Sequence, residues 1–141
     1  MSIKYGRLIG IDLGTKKVGV ARTDLLRLSA NPVGTFKRST IIEDLRAQIQ
    51  NESIDAFIIG WPLEPDGSEG HMTKMVDHFI EELSDTFPQI PVKKVDERYT
   101  SKQAVQNMID AGIPRMKRRD KKRIDRTAAA IILQNYLEMN S

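Results

Sequence analysis

The sequence predicts an α/β domain in which a three-stranded antiparallel meander is joined to parallel strands by helical crossovers. Three observations carry this expectation. β-like stretches crowd the first third of the chain, helical spacing alternates with short apolar runs from Thr40 onward, and no internal repeat or low-complexity linker interrupts the order.

Residues 7–13 are an apolar run, residues 18–21 alternate around Gly19, and residues 33–37 follow Asn31-Pro32 as a third β-like stretch. Gly14 and the segment around Leu25 to Arg27 supply the short connections. Thr40 and Glu43 have capping-box spacing, after which Ile41, Ile42, Leu45 and Ile49 share one helical face. Residues 55–60 (DAFIIG) make a short buried strand that stops at Trp61-Pro62. Met72, Met75, Val76, Phe79, Ile80, Leu83 and Phe87 keep helical spacing up to Pro88, and residues 92–95 form one more strand. A second capping pair, Thr100 and Gln103, opens a helix through Ala104, Val105, Met108 and Ile109 that ends at Gly112. The run 113–123 is basic without apolar periodicity and reads as a mobile loop. A final helix from about Lys122 to Met139 offers Ala128, Ala129, Ile132 and Tyr136 for packing. The order is β-β-β-α-β-α-β-α-α, a mixed five-stranded sheet with flanking helices, expected as one domain over residues 1–141.

Composition narrows the chemistry. With 141 residues, 40% hydrophobic and 29% charged, the chain has the make-up of a folded domain with a sizeable core. It has no cysteine, which excludes disulfides, thiolate metal sites and a thiol nucleophile. Residues 1–14 hold one short apolar run broken by Asp12, unlike a signal peptide or membrane span, so a soluble cytoplasmic protein is expected. The net charge of +3 hides an asymmetry: twelve Lys or Arg stand against five acids between Lys93 and Arg126, a surplus of seven that leaves −4 for the rest. A concentrated basic segment on a mildly acidic domain fits a polyanionic partner or a solvated loop.

Three carboxylates stand out. Asp12 sits among the aliphatic residues of LIGIDLG, where a buried charge needs a cation, an ion pair or a capping role in the Gly14 bend. Asp96 and Glu97 follow directly on the strand 92–95, at the C-terminal edge where open α/β sheets bind ligands, and alternation prevents both from facing the same way. Asp125 opens the last helix, one turn before the small residues Ala128 and Ala129, either as a site residue or as a favourable charge on the helix dipole. Separated acids at strand and helix ends, without His or Cys, suit a hard divalent cation. His71 and His78 are seven residues apart and read as helix surface. The chain contains no P-loop, no Gly-x-Gly-x-x-Gly and no Gly-x-Ser-x-Gly. The turn-rich segment 60–68, ending in Asp66-Gly67-Ser68, could present Gly67 and Ser68 to a phosphate or serve as an ordinary strand-to-helix loop.

Four blocks together resemble the YqgF (RuvX) family: GIDLGTKKVGVA at 10–21, Gly60-Trp61-Pro62-Leu63 with Asp66-Gly67-Ser68, Asp96-Glu97-Arg98-Tyr99-Thr100-Ser101, and Asp125 with Ala128-Ala129 and Ile132-Leu133. They span most of the chain in the family's order. The resemblance implies a ribonuclease H-like fold related to Holliday-junction resolvases, and a nuclease that matures the 5′ end of precursor 16S ribosomal RNA. By motif match it implies that Asp12, Glu97 and Asp125 are the acidic catalytic residues and hold one or two Mg²⁺ or Mn²⁺ ions for in-line attack on a phosphodiester. Lys16, Arg98, Arg115, Lys117, Arg118, Arg119, Lys121, Lys122 and Arg123 would neutralise neighbouring phosphates. The expected partner is nucleic acid, precursor rRNA or else structured or branched DNA, met by a monomer or weak dimer. Lys17, Trp61 and Tyr99 depart from the family's usual Arg, Leu and Leu, and none is a carboxylate position.

Two other classes share parts of this pattern. Gly10 to Thr15 also looks like the first phosphate loop of actin-like and heat-shock-70-type ATPases, which need two such domains around the nucleotide. The other alternative is a non-catalytic nucleic-acid-binding factor in ribosome assembly or transcription, against which the presence of all three acids argues.

Overall fold

The computed structural model describes residues 6–63, 66–96 and 121–139, with 121–127 described as backbone only. Five strands, β1 (Arg7–Leu13), β2 (Lys17–Thr23), β3 (Ala30–Lys37), β4 (Ile54–Trp61) and β5 (Val92–Asp96), form one sheet in the order β3-β2-β1-β4-β5. β1 pairs antiparallel with β2 and β2 with β3, whereas β4 runs parallel to both β1 and β5. This is the mixed sheet that the sequence predicts, with the meander on one side and the parallel strands on the other.

Helices cover both faces. α1 (Ile41–Ile49) and α2 (His71–Thr86) bury Ile41, Leu45, Val76, Phe79 and Leu83 against Ile9, Ile11, Leu13, Val18, Val20, Phe57 and Ile59. The last helix, here α3 (Lys121–Met139), packs Ala129, Ile132 and Leu133 against Leu8, Ala21, Ala56, Ile58 and Val95 on the other face. Each strand divides its residues between the two cores by alternation, so both faces are apolar and the central strands read as nearly unbroken hydrophobic runs. Full burial of one such Leu, Ile or Phe contributes about 1.5–3 kcal/mol, so two cores of this size hold the helices firmly on the sheet.

The structure refines several expectations. Thr40 makes no side-chain cap to α1: its Oγ1 donates to Asp44 Oδ2 at 2.9 Å, so the capping box with Glu43 is not formed. The hydroxyl is oriented as a donor toward the carboxylate four residues on and accepts no backbone amide. β3 begins at Ala30 and includes Asn31 and Pro32, because it is an edge strand where a residue without an N–H is tolerated. The last helix starts at Lys121, close to the expected Lys122, so the end of the run read as a loop, Lys121 to Arg123, is helical, in keeping with the good helix propensity of long basic side chains. His71 and His78 are exposed on α2, as expected. The helix expected over 100–112 and the basic run 113–120 lie outside the described residues.

The β2–β3 connection is fastened at the end of the sheet where β1 begins. Arg27, in left-handed backbone conformation (φ 59°), donates to the Gly6 carbonyl at 3.0 Å and pairs with Asp55. Asp24 Oδ1 accepts from the Leu28 and Ser29 amides, each at 2.9 Å. Buried Thr23 Oγ1 accepts the Leu8 amide at 2.9 Å, satisfying a β1 donor beyond the paired register.

Candidate active site

Asp12 is the penultimate residue of β1, the central strand, and it is half-buried. Alternation places it with Leu8 and Gly10 on the face that α3 covers. Its register partner on β2 is Gly19; on the other side Gly60 stands one residue beyond Ile59, the partner of Ile11. Both strands flanking Asp12 therefore place a residue without a side chain next to the carboxylate.

Gly10 sets how close α3 comes. A Cβ at this position would lie 2.5 Å from Leu133 Cγ and 2.9 Å from the Ala129 carbonyl oxygen, so only glycine admits the helix at this distance. Asp125 is one helical turn before Ala129 on α3, and its side chain lies outside the described residues. The turn after Asp12 is closed by the Gly14 amide, which donates to the Lys17 carbonyl at 2.9 Å. A Cβ on Gly14 would lie 2.7 Å from that same oxygen, which keeps the bend tight.

At the other side of the site, β5 resolves one ambiguity of the sequence. Val95 belongs to the α3-side core, whereas Asp96 is the register partner of Trp61, which packs on the opposite core. Asp96 thus faces away from Asp12's side of the sheet. Glu97, Arg98, Arg115, Lys117, Arg118 and Arg119 lie outside the described residues, as do the side chains of Lys121, Lys122 and Arg123. Among the described residues no group of three or more His, Cys, Asp or Glu is placed to hold a metal ion.

Lys16 is exposed in the turn between β1 and β2, close in sequence to Asp12. In the segment before α2, the Ser68 amide and hydroxyl both donate to Asp66 Oδ1, at 2.9 and 2.6 Å, and Gly67 takes φ 90°. Both Ser68 donors considered for a phosphate are thus engaged within the turn. Lys93 and Lys94 part company: Lys94 lies over Trp61 at 3.7 Å and pairs with Asp77 at 3.2 Å, while Lys93 lies 5.8 Å from the Tyr136 ring on the α3 side. The sequence reading overlooked Lys37, which the register sets directly opposite Lys17 on Asp12's face.

A mixed sheet in this order, helices on both faces and an acid at the end of its central strand define a ribonuclease H-like domain, a fold shared by nucleases that hydrolyse phosphodiester bonds. The solved structure of T. thermophilus RuvC in complex with a Holliday junction substrate has this fold, with a TM-score of 0.54 at 14% identity over 96% of each chain. The model of the RuvX family, described as Holliday junction resolvase, matches residues 6–139, and the chain belongs to that family. Among its relatives, a protein of Chlorobium phaeobacteroides named "Putative pre-16S rRNA nuclease" is 46% identical over 136 residues, 96% of this chain and 94% of the other. One of the same name from Chlorobaculum tepidum is 39% identical over 99% of both chains.

Proposed function

We propose that this protein is a divalent-metal-dependent nuclease that cleaves phosphodiester bonds of precursor 16S ribosomal RNA in its 5′-end maturation, with Asp12, Glu97 and Asp125 as its catalytic acids. The observation that carries the reading is Asp12 at the end of the central strand, between two glycine positions and on the face of α3. Val95 lies on that same face and Asp96 on the opposite one, which supports Glu97, the next acid in the sequence, over Asp96 as the third acid. Asp125 belongs to the helical stripe that includes Ala129 and Leu133, the two residues against Gly10. An all-oxygen donor set of this kind fits Mg²⁺ or Mn²⁺.

Such an ion, when bound, supplies an activated water and neutralises charge on the phosphate under attack. The protein's part is to hold carboxylate charge where the cation is needed and to keep it there. Asp12 does this from a strand hydrogen-bonded on both sides, so its backbone position costs no ordering when substrate arrives. Lys16 and the basic residues Arg98, Arg115, Lys117, Arg118, Arg119, Lys121, Lys122 and Arg123 would bind phosphates flanking the cleaved bond. A phosphate at Ser68 would first have to displace Asp66 from both of its donors. No helix among the described residues is long and apolar enough to cross a membrane. A monomer or weak dimer working in the cytoplasm suits an rRNA substrate.

The test is cleavage of structured RNA, single-stranded RNA and a four-way DNA junction by purified protein, with Mn²⁺ or with EDTA. Cleavage of the structured RNA that requires the metal supports the reading. Cleavage of the junction alone would move the substrate to branched DNA. Binding without cleavage of any of the three would leave a nucleic-acid-binding factor.

A further inference from the structure

Lys17 opens β2 and Lys37 closes β3, and the two are direct register partners. Gly19 pairs with Asp12 and shares its face, so Lys17, two residues earlier on β2, lies on that face too. Lys37 follows by pairing. Phe36 confirms the parity: it pairs with Val18 and packs on the opposite core. The Cα of Lys17 therefore lies diagonally about 7–8 Å from that of Asp12. The Cα of Lys37 is one strand farther out, at about 12 Å.

Two cations directly opposite each other on one sheet face destabilise the pairing that brings them together. Among the described residues neither lysine has a carboxylate within ion-pair distance, although Lys17 is half-buried. The neighbouring Arg38 is different. Its guanidinium pairs with Glu82 at 3.3 Å and lies 4.8 Å from the Phe79 ring centroid, so it is committed to holding α2. A like-charged pair without a counter-ion among the described residues, at the sheet end that also carries Asp12, has the form of an anion site.

We propose that Lys17 and Lys37 form a phosphate clamp that holds the phosphodiester backbone beside Asp12 and leads the strand outward across β2 and β3. The proposal rests on the nuclease reading only for the identity of the neighbouring cleavage point. The ligand is a polynucleotide strand, since two cations in line from the carboxylate match successive backbone phosphates better than one isolated anion. Lysine, a point charge on a flexible stem, suits contacts that must tolerate any sequence.

The measurement is fluorescence anisotropy of a labelled structured RNA at a series of KCl concentrations, in EDTA so that metal-dependent cleavage does not consume it. Wild type is compared with the double variant Lys17→Gln/Lys37→Gln and with Arg38→Gln. The clamp predicts weaker binding by the double variant and a plot of log K against log salt less steep by about 1.4–1.8 units, from two lost phosphate contacts. The double variant should melt no lower than wild type, because a repulsion has been removed. Arg38→Gln should melt lower and keep the wild-type slope. An unchanged slope in the double variant overturns the clamp, and if its melting temperature also falls the lysines are structural. The two readings fail separately. A wild type that binds this RNA without cleaving it in Mn²⁺, but loses slope with both lysines, keeps the clamp and rejects the nuclease. An enzyme that cleaves and whose slope ignores the lysines does the reverse.

Discussion

The surroundings of Asp12 are set by its neighbours in the sheet. Glycine at Gly19 on β2 and Gly60 on β4 leaves space beside the carboxylate, and β1 fixes its height in the sheet. Asp12→Asn keeps the shape and removes the charge. If Asp12, Glu97 and Asp125 converge as proposed, it should abolish metal-dependent cleavage while melting no lower than wild type in EDTA, since like charges held together in metal-free protein oppose folding. Mn²⁺ should raise the melting temperature of wild type by mass action and that of the variant much less. A variant that melts lower in EDTA, with no metal-induced shift in wild type, would make Asp12 a structural acid. Asp24 behaves differently. The Ser29 amide, joined by that of Leu28, holds its carboxyl below the usual carboxylate range. Its folded pKa is depressed, so its stabilising contribution is present above the ordinary value near 3.8 and is lost as pH falls through the lower folded value. Amide exchange at Leu28 and Ser29 should accelerate below that range, and Asp24→Asn should remove this pH dependence.

At the scale of elements, the contact between β1 and α3 sets how close the helix stands to the strand that carries Asp12. Gly10→Ala puts a methyl group 2.5 Å from Leu133 Cγ and 2.9 Å from a backbone oxygen, so the helix must move. Overpacking of this kind costs about 1–3 kcal/mol, which denaturant midpoints would register. Adding Leu133→Ala should not restore stability, because the Ala129 carbonyl remains in the way and a fully buried leucine is lost. Unchanged stability in Gly10→Ala would mean that α3 stands farther from the sheet. The other elements follow more directly from pattern. α1 and α2 appear where apolar spacing puts them, because each has one sheet face to cover. Their ends are set by local hydrogen bonds, as at Thr40, whose hydroxyl donates to Asp44 and caps no backbone amide.

Across the whole molecule the charge is divided unevenly, and the basic excess lies between Lys93 and Arg126. If that segment binds phosphates, Arg118→Ala, Arg119→Ala and Lys121→Ala together should weaken nucleic-acid binding and reduce the salt slope by nearly one unit per lost contact. An unchanged slope would return the segment to ordinary solvated surface. The described structure already sorts some of the basic residues. Lys94 is held by Trp61 and Asp77, and Arg38 by Glu82 and Phe79, whereas Lys17 and Lys37 have no such partner among the described residues.

The sequence by itself determined the class of fold, the strand and helix order as far as it is described, and Asp12 as the acid of the central strand. These are local or periodic properties: a charge inside an aliphatic run, spacing of 2 or 3.6, and Pro and Gly at the ends. Motif match also singled out Glu97 over Asp96; β5 turns Asp96 away from Asp12's face, and Glu97 lies outside the described residues. What only the tertiary structure decided is register. Between β2 and β3 the pairing shifts from Ala21–Pro32 to Val20–Gly34, so Val33 is an extra residue. Without that bulge Lys17 would oppose Phe36, and Lys37 would not stand beside it. Side-chain period along a strand is two, so one inserted residue moves every later side chain to the other face. No composition or motif records where the insertion falls, because it is a property of how two strands pair and not of either strand alone.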